Sequence, residues 1–202
     1  MRINTSMNNN GCFETTSIKL SDNNPIFTDH KNWDYEHKEV TLYDTKNTFL
    51  RCSVPTEYFE GEPMYDLMKE YNLGAKIFKM DPGTVYNWHR DVWRNYAFNL
   101  LLTDDSDYLT IFAHDHPAEQ DLSPSKFMYV PITQVVYEPK TFHLLNARKP
   151  HAIVNYSKTT RYLLTVASWL QHPVVSIHNK VDPAEYINMV NTLDGRGLIV
   201  TK

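Results

Sequence analysis

The chain has 202 residues, of which 42% are hydrophobic and 22% are charged, and its formal net charge is −4. These values are typical of one soluble globular domain. The absence of a block of like charges argues against nucleic acid or an anionic membrane as a partner, and no apolar run reaches the ~18 residues of a membrane span. Cys12 and Cys52 are the only cysteines. This number excludes a disulfide framework and favours reduced thiols in the cytoplasm.

The N-terminal segment, residues 1–25, is rich in Asn, Ser and Thr and shows no apolar period. This composition predicts a polar tail that is loose at least through Asn10. Residues 26–202 are expected to form a single domain. Within it, one or two short strands are predicted between Lys38 and Arg51.

A first helix is predicted from Glu62 to Leu73. Pro63 suits the first helical turn, and Gly74 suits the position that follows the last turn. Apolar side chains recur at helical spacing between these two signals, namely Met64, Leu67, Met68 and Tyr71.

After Gly74 the pattern changes to short apolar runs that are separated by turn clusters such as Asp81-Pro82-Gly83. About eight strands at this spacing, without helices between them, predict a sandwich or barrel, and their span suits an eight-stranded jelly roll. The apolar runs from which these strands are predicted are Ala75–Met80, Thr84–His89, Tyr96–Leu102, Tyr108–Ala113, Phe127–Val130, Val135–Tyr137, Thr141–Leu145, Ala152–Asn155 and Arg161–Leu170.

A second helix is predicted near the C-terminus. Asp182 is its expected N-cap, Pro183 its first helical residue and Glu185 the third, as in a capping box. Gly195 ends the helix. One apolar stripe is formed by Tyr186, Ile187, Val190 and Leu193.

His89, Asp91 and His151 are candidate metal ligands. In an extended segment, residues i and i+2 point to the same side, so His89 and Asp91 can reach one ion. A polar turn places His151 at the start of an apolar strand, where it would face the interior. Two imidazoles and one carboxylate can bind one face of Fe(II) and leave positions for a small acid and dioxygen. A surface His–Asp pair at the end of a strand is the alternative interpretation.

Arg161 follows His151 by ten residues and begins the apolar run 162–167. A buried guanidinium needs an anion, because burying an unpaired charge is costly. One candidate anion is a structural Asp or Glu. The other is the carboxylate of a bound 2-oxo acid, which the planar guanidinium can bind through two N–H groups.

The order His89-x-Asp91, His151 and Arg161 resembles that of the Fe(II)/2-oxoglutarate-dependent dioxygenases. The stretch from Pro150 to Pro173 is similar to the corresponding part of the aspartyl/asparaginyl β-hydroxylase and proline hydroxylase branch. The resemblance covers roughly residues 74–173. It implies a double-stranded β-helix that binds Fe(II), 2-oxoglutarate and O2. The implied iron ligands are His89, Asp91 and His151, and the implied anchor of the 2-oxoglutarate carboxylate is Arg161.

The chain departs from this family at Leu163, where many relatives have Ser or Thr. Two alternatives follow: Thr165 or Tyr162 supplies the missing hydroxyl, or the contacts with the co-substrate differ from those of the relatives. Asn99 and Arg94 are secondary candidates for binding the co-substrate.

Histidines at two other places in the chain are weaker candidates for metal ligands. The cluster His114-Asp115-His116 follows a predicted strand and precedes a proline, so we interpret it as a loop with a possible substrate role. His143 is interpreted as a histidine of the core or rim.

The expected function is hydroxylation of an amino acid or a peptidyl side chain, with a small-molecule or peptidyl substrate as the partner. Two alternatives remain open: a cupin-type metalloenzyme that does not use 2-oxoglutarate, and a non-enzymatic jelly-roll binding module. The sequence identifies neither the primary substrate nor the oligomeric state.

Overall fold

The structure is a computed structural model that describes residues 11–42, 45–91, 94–103, 108–113, 132–169 and 184–200, with backbone only over 40–48. In chain order its elements are β1 (Phe13–Lys19), α1 (Ile26–Asp29), β2 (Glu36–Leu42), β3 (Thr45–Val54), α2 (Pro63–Glu70), β4 (Gly74–Met80), β5 (Val85–His89), β6 (Tyr96–Leu101), β7 (Tyr108–Ala113), β8 (Ile132–Gln134), β9 (Thr141–Asn146), β10 (His151–Asn155), β11 (Arg161–Ala167) and α3 (Ala184–Gly195). Short 3₁₀ helices lie at His30–Asn32 and Thr56–Phe59.

The strands form two antiparallel sheets. The larger sheet has the order β1–β9–β6–β11–β4–β3–β2, and the smaller sheet has the order β5–β10–β7–β8. From β4 to β7, and again from β8 to β11, each strand lies in the opposite sheet to the strand before it. This alternation is that of a jelly roll. The predicted fold class, a mainly β double-stranded β-helix with flanking helices, is confirmed.

The two faces of the larger sheet have different roles. Along β11, Tyr162, Leu164 and Val166 belong to the main hydrophobic core, which also includes side chains of α2 and α3. The alternate residues of β11 point the other way, toward the smaller sheet, because side chains alternate along a strand. We call this side the inner face. It carries the buried polar residues Arg161 and Thr165, which places polar chemistry between the sheets.

The N-terminal boundary predicted at residue 25 is wrong. Strand β1 lies inside the predicted tail and pairs with β9, with Phe13 opposite Leu145 and Thr15 opposite His143. The segment is polar in composition, but its β-branched threonines suit a strand. Residues 1–10, where the tail was expected to be loose, lie outside the described residues.

The first predicted helix is confirmed but ends earlier, at Glu70. Asn72 adopts a positive φ of 50°, and the Leu73 amide donates to the Met68 carbonyl oxygen over 2.9 Å. This arrangement is a usual way to close a helix. Gly74 therefore does not end α2. It begins β4, where its Cα packs against the Trp169 ring.

The C-terminal helix is confirmed over 184–195, and the residues of its predicted cap, Asp182 and Pro183, lie outside the described residues. One member of the predicted apolar stripe is wrong, because Ile187 is 39% exposed and Met189 is buried in its place. Met189 fits the i, i+3 spacing from Tyr186, and Ile187 does not. The strand predicted at 135–137 is found at 132–134 instead, and the one at 127–130 lies outside the described residues.

Candidate metal centre

The two candidate histidine ligands face each other across neighbouring strands of the smaller sheet. His89 is the last residue of β5, His151 is the first residue of β10, and their Cα atoms are partners in the antiparallel ladder. Their ring centroids lie 4.2 Å apart, and both residues are buried. The strand pairing thus brings together two residues that are 62 positions apart in the chain.

Asp91 completes a cluster with these histidines. One ligand atom from each of His89, Asp91 and His151 lies within 4.8 Å of the other two. Nε2 of His89 lies 3.8 Å from Oδ1 of Asp91. The three side chains predicted as metal ligands are therefore brought together at one place.

Backbone carbonyl groups orient both imidazoles. Nδ1 of His89 lies 2.7 Å from the carbonyl oxygen of Asn87, and Nδ1 of His151 lies 2.9 Å from that of Lys149. A carbonyl oxygen only accepts hydrogen bonds, so each Nδ1 carries the proton and each neutral ring has its lone pair on Nε2. The ligand tautomer of both histidines is fixed before any metal binds.

The carboxylate and the backbone of Asp91 are also held. Nε of Arg94 donates to Oδ2 of Asp91 over 2.5 Å. The Asp91 amide donates to the Ala147 carbonyl oxygen over 2.9 Å, and Nη1 of Arg148 donates to the Asp91 carbonyl oxygen over 2.7 Å. The turn before β10 thus positions Asp91 as well as His151.

The protonation states of the three groups suit a metal site. Burial, followed by the nearby His151, lowers the pKa of His89 to about 3. Burial also lowers the pKa of His151. Burial alone would raise the pKa of Asp91, but Arg94 and the two histidines outweigh it and lower that pKa. Near neutral pH the site therefore has two neutral imidazoles and one carboxylate, the forms that coordinate a metal.

Arg161 lies fully buried on the inner face. Its Nη2 donates to Oγ1 of Thr110 over 2.8 Å and its Nη1 to the Leu109 carbonyl oxygen over 3.2 Å. The structural Asp or Glu that we considered as its partner is not found among the described residues, and Nε of Arg161 has no hydrogen-bond partner there. Burial lowers the pKa of Arg161, but a guanidinium remains charged at neutral pH.

Arg161 and the metal ligands face the same interior. Thr110, which accepts a hydrogen bond from Arg161, lies two residues from Phe112 on β7. The Phe112 ring packs against His151 with centroids 5.3 Å apart. A two-residue step along a strand is about 7 Å. The Arg161 guanidinium and the metal ligands are therefore separated by about the length of a small molecule.

Asn99 and Thr165 form a polar pair on the opposite wall. They are partners across β6 and β11, both are buried, and Oδ1 of Asn99 and Oγ1 of Thr165 lack hydrogen-bond partners in the described structure. Tyr162, the other residue suggested as a hydroxyl donor, faces the main core and packs on His30. That suggestion is wrong, because Tyr162 is adjacent in sequence to Arg161 and so points to the other side of the strand.

Of the remaining candidate site residues, Arg94 and His143 lie in the described part of the chain. Arg94 is bound to Asp91, and its Nη1 is buried without a hydrogen-bond partner among the described residues. Its role as a second anion contact stays a prediction. His143 is fully buried in β9, as predicted. The cluster of His114, Asp115 and His116 lies outside the described residues.

Sequence reasoning missed several residues that shape the site. In the sequence, Arg148 is part of a polar turn and has no feature that indicates its contact with Asp91. Thr110 and Tyr137, whose hydroxyl oxygens lie 3.2 Å apart, belong to ordinary strand and turn patterns. The Arg161 guanidinium carbon lies 5.8 Å from the centre of the Tyr137 ring. These contacts join residues far apart in the chain, and no local sequence signal could have identified them.

The donor set fits iron and a small acid. Two neutral imidazoles and one carboxylate form the facial triad of non-haem Fe(II) oxygenases. A buried guanidinium that lacks a carboxylate partner in the described structure fits the anionic end of a 2-oxo acid.

The chain matches no protein-family model and no curated protein sequence. Among solved structures it is similar to SnoK, a non-heme alpha ketoglutarate dependent carbocyclase from nogalamycin biosynthesis, with 10% identity, coverage of 84% of this chain and 90% of that chain, and a TM-score of 0.48. It is also similar to SnoN, a non-heme alpha ketoglutarate dependent epimerase from the same biosynthesis. Here the identity is 10%, the match covers 74% of this chain and 73% of that chain, and the TM-score is 0.48.

A third similar structure is an oxidoreductase of the 2OG-Fe(II) oxygenase family from Burkholderia pseudomallei, with 10% identity, coverage of 71% and 76%, and a TM-score of 0.43. These likenesses are weak, so the fold and the site of this chain rest on its own strands and side chains. None of the helices within the described residues is both long and apolar enough to cross a membrane.

Proposed function

We propose that this protein is a non-haem Fe(II)/2-oxoglutarate-dependent oxygenase that hydroxylates an amino acid or a peptidyl side chain. One observation carries the proposal. The cluster of His89, Asp91 and His151 faces the same interior as the buried Arg161, which has no carboxylate partner among the described residues. A metal triad and an anion-binding cation that face the same interior are the two parts that this chemistry needs.

His89, Asp91 and His151 would hold the iron through the two Nε2 atoms and a carboxylate oxygen. Bound Fe(II) would supply the activation of dioxygen, in which 2-oxoglutarate is oxidised to succinate and CO2 and one oxygen atom enters a substrate C–H bond. Arg94 and the turn around Arg148 keep Asp91 in place. Such outer contacts are commonly as important to a metal site as the ligands themselves.

Arg161 would bind the distal carboxylate of 2-oxoglutarate. Its Nε is free of hydrogen bonds within the described residues, and Thr110 and Tyr137 place two hydroxyl groups beside the guanidinium. These hydroxyls take the role of the Ser or Thr that Leu163 replaces. Charge-assisted hydrogen bonds in a buried site are strong and directional, so the co-substrate would be held in one orientation.

The interior would also keep water away from the reacting groups. Phe112 is fully buried and covers one side of His151, and Asn99 and Thr165 offer polar atoms on the opposite wall. A closed, mostly dry cavity strengthens the electrostatic contacts inside it and protects reactive species from side reactions.

The choice of an amino acid or peptidyl side chain is supported by the likeness of residues 150–173 to the aspartyl/asparaginyl β-hydroxylase and proline hydroxylase branch. We place the protein in the cytoplasm, since no disulfide joins the buried Cys12 and Cys52. With a net charge of −4, we expect a small-molecule or peptidyl partner rather than nucleic acid.

The test is the affinity for 2-oxoglutarate of protein loaded with Mn(II), which occupies such sites without turnover, measured by calorimetry. Arg161→Ala is expected to weaken binding about 10- to 100-fold, because charged hydrogen bonds contribute about 1.5–3 kcal/mol each. Arg196→Ala, which removes a surface arginine bound to Glu70, is the matched control. An unchanged affinity in Arg161→Ala would instead favour a cupin-type metalloenzyme that does not use 2-oxoglutarate.

A further inference from the structure

Three cations lie together beside the proposed metal site. Arg51 on β3 and Lys76 on β4 point to the inner face, because their neighbours Cys52 and Ile77 are in the main core on the other side. Arg94 approaches them from the segment that follows Asp91. We call Arg51, Lys76 and Arg94 the cationic rim.

Trp169 fixes two of these cations in place. Nζ of Lys76 lies 4.0 Å from the centroid of the Trp169 ring, and the guanidinium carbon of Arg94 lies 4.9 Å from it. The indole N–H donates to the Gly74 carbonyl oxygen over 3.0 Å, which holds the ring itself. The cations therefore rest on a positioned aromatic surface instead of extending freely into solvent.

The rim has more positive charge than the nearby acids can neutralise. Glu36 is paired with Lys38 at 3.2 Å, and Asp91 is paired with Arg94. Neither Arg51 nor Lys76 forms an ion pair with a carboxylate of the described residues. Burial first, and then Arg51 and Arg94, lower the pKa of Lys76 to about 8. Gathering like charges in this way is unfavourable unless an anion joins them.

A row of aromatic rings connects the rim with the triad. Successive centroids are 6.2 Å apart for Trp169 and Phe78, 5.4 Å for Phe78 and Phe49, 5.6 Å for Phe49 and Tyr86, and 4.0 Å for Tyr86 and His89. Such rings bury the apolar part of a ligand. A molecule that lies along the row would have its apolar body near the metal ligands and its anionic end at the rim.

We propose that the cationic rim binds a carboxylate of the primary substrate, which is therefore a small organic acid with an apolar or aromatic body. The inference rests on the proposed function and narrows its substrate class. Arg161 and the rim have separate tasks. Arg161 binds the co-substrate acid between the sheets, and the rim binds the substrate acid at the Trp169 end of the aromatic row.

The test compares phenylacetate with phenylacetamide, two probes of one shape that differ in charge. Their dissociation constants are measured by calorimetry on protein loaded with Mn(II) and saturating 2-oxoglutarate. We expect phenylacetate to bind at least about 10-fold more tightly than the amide. We expect Lys76→Gln and Arg51→Gln to lose most of this preference. Lys79→Gln is the matched control, since Lys79 lies on the same strand with its Nζ 5.7 Å from the Tyr35 ring, on the other face.

Equal binding of phenylacetate and phenylacetamide by the unaltered protein would overturn the proposal. It would also be overturned if both rim variants kept the preference for phenylacetate while their melting curves showed folded protein. Phenylacetate binding that disappears as 2-oxoglutarate is added would also overturn it, because the probe would then occupy the Arg161 site. A third outcome separates the two proposals. If the protein fails to bind 2-oxoglutarate but still prefers phenylacetate in a way that depends on Lys76, the carboxylate site at the rim is supported and the oxygenase function is rejected.

Discussion

Arg94 donates its Nε–H to Oδ2 of Asp91 over 2.5 Å, while the other carboxylate oxygen of Asp91 lies 3.8 Å from Nε2 of His89. One oxygen of the carboxylate is thus used to orient it, and the other is directed toward the histidines. The ion pair is partly sheltered, with side-chain exposures of 12% for Arg94 and 15% for Asp91. Such a contact fixes a ligand better than an exposed pair does.

Replacing Arg94 should weaken metal binding. Arg94→Lys keeps the charge but loses the planar Nε–H, and Arg94→Gln loses both, so each variant leaves Asp91 less well oriented. We expect a 10- to 100-fold loss of Mn(II) affinity, about the size found for outer contacts of metal ligands, measured by electron paramagnetic resonance. Arg51→Gln removes a nearby charge without touching Asp91 and should change the affinity less than about 3-fold. If Arg94→Lys bound Mn(II) as tightly as the wild-type protein, the hydrogen bond from Arg94 would not be what positions Asp91.

The hydroxyl beside Arg161 should contribute to co-substrate binding. Thr110→Val keeps the shape of the side chain and removes the group that accepts a hydrogen bond from Nη2 of Arg161. We expect about a 10-fold loss of 2-oxoglutarate affinity in Mn(II)-loaded protein, measured by calorimetry. Tyr162→Phe is the control, because Tyr162 faces the main core. A larger effect from Tyr162→Phe than from Thr110→Val would contradict the assignment.

A side chain at Gly74 is expected to reduce the stability of the protein. A Cβ at this position would lie 3.1 Å from Cδ1 of Trp169, and the indole N–H is bound to the Gly74 carbonyl, so the ring cannot move away without losing that bond. We expect Gly74→Ala to destabilise the protein by about 1–3 kcal/mol, measured by urea unfolding. At Gly195 an added Cβ meets nothing within 4 Å, so Gly195→Ala should be neutral or slightly stabilising. Equal stability of the two variants would show that the Gly74–Trp169 packing carries no strain.

Glu14 should make stability depend on pH. It is 6% exposed and close to α3, with one carboxyl oxygen that lacks a hydrogen-bond partner in the described structure. Burial, followed by Asp194, raises the pKa of Glu14 from 4.5 to about 7. Between these values the folded protein binds more protons than the unfolded chain, so this residue's contribution to stability falls as pH rises through that window and is fully lost above about pH 7.

The variant Glu14→Gln removes this ionisation. We expect it to raise the free energy of unfolding by about 1–3 kcal/mol at pH 8 and to change it little at pH 4.5, as measured by urea unfolding at both pH values. Glu57→Gln, at an exposed position, should have little effect at either pH. A gain of equal size for Glu14→Gln at both pH values would mean that its ionisation is not the cause.

Local signals predicted most of the fold. Turn clusters such as Asp81-Pro82-Gly83 marked the strand ends well, because Gly83 adopts a positive φ of 74° that glycine accepts easily. The predictions failed where contacts between residues distant in the sequence determine the structure. Strand β1 forms because β9 offers it an edge, which the polar composition of the segment does not reveal.

The site shows the same division. The spacing of His89 and Asp91 on a predicted strand indicated that they could reach one ion, and the resemblance to a known family implied the roles of His151 and Arg161. The contributions of Arg148, Thr110 and Lys76 could not be predicted, because each of these residues contacts a residue that is distant in the sequence. Cross-strand register determines these contacts, and register is a property of the assembled sheets.

The central claim is that His89, Asp91 and His151 bind one Fe(II) that a 2-oxo acid then chelates. The most direct measurement is an anaerobic titration of the protein with Fe(II) and 2-oxoglutarate, recorded as a visible absorption spectrum. The account predicts a weak charge-transfer band in the wild-type protein, its loss in Asp91→Ala, and its persistence in Asp66→Ala, which removes an exposed carboxylate from α2. No band in folded wild-type protein, or an undiminished band in Asp91→Ala, would contradict it.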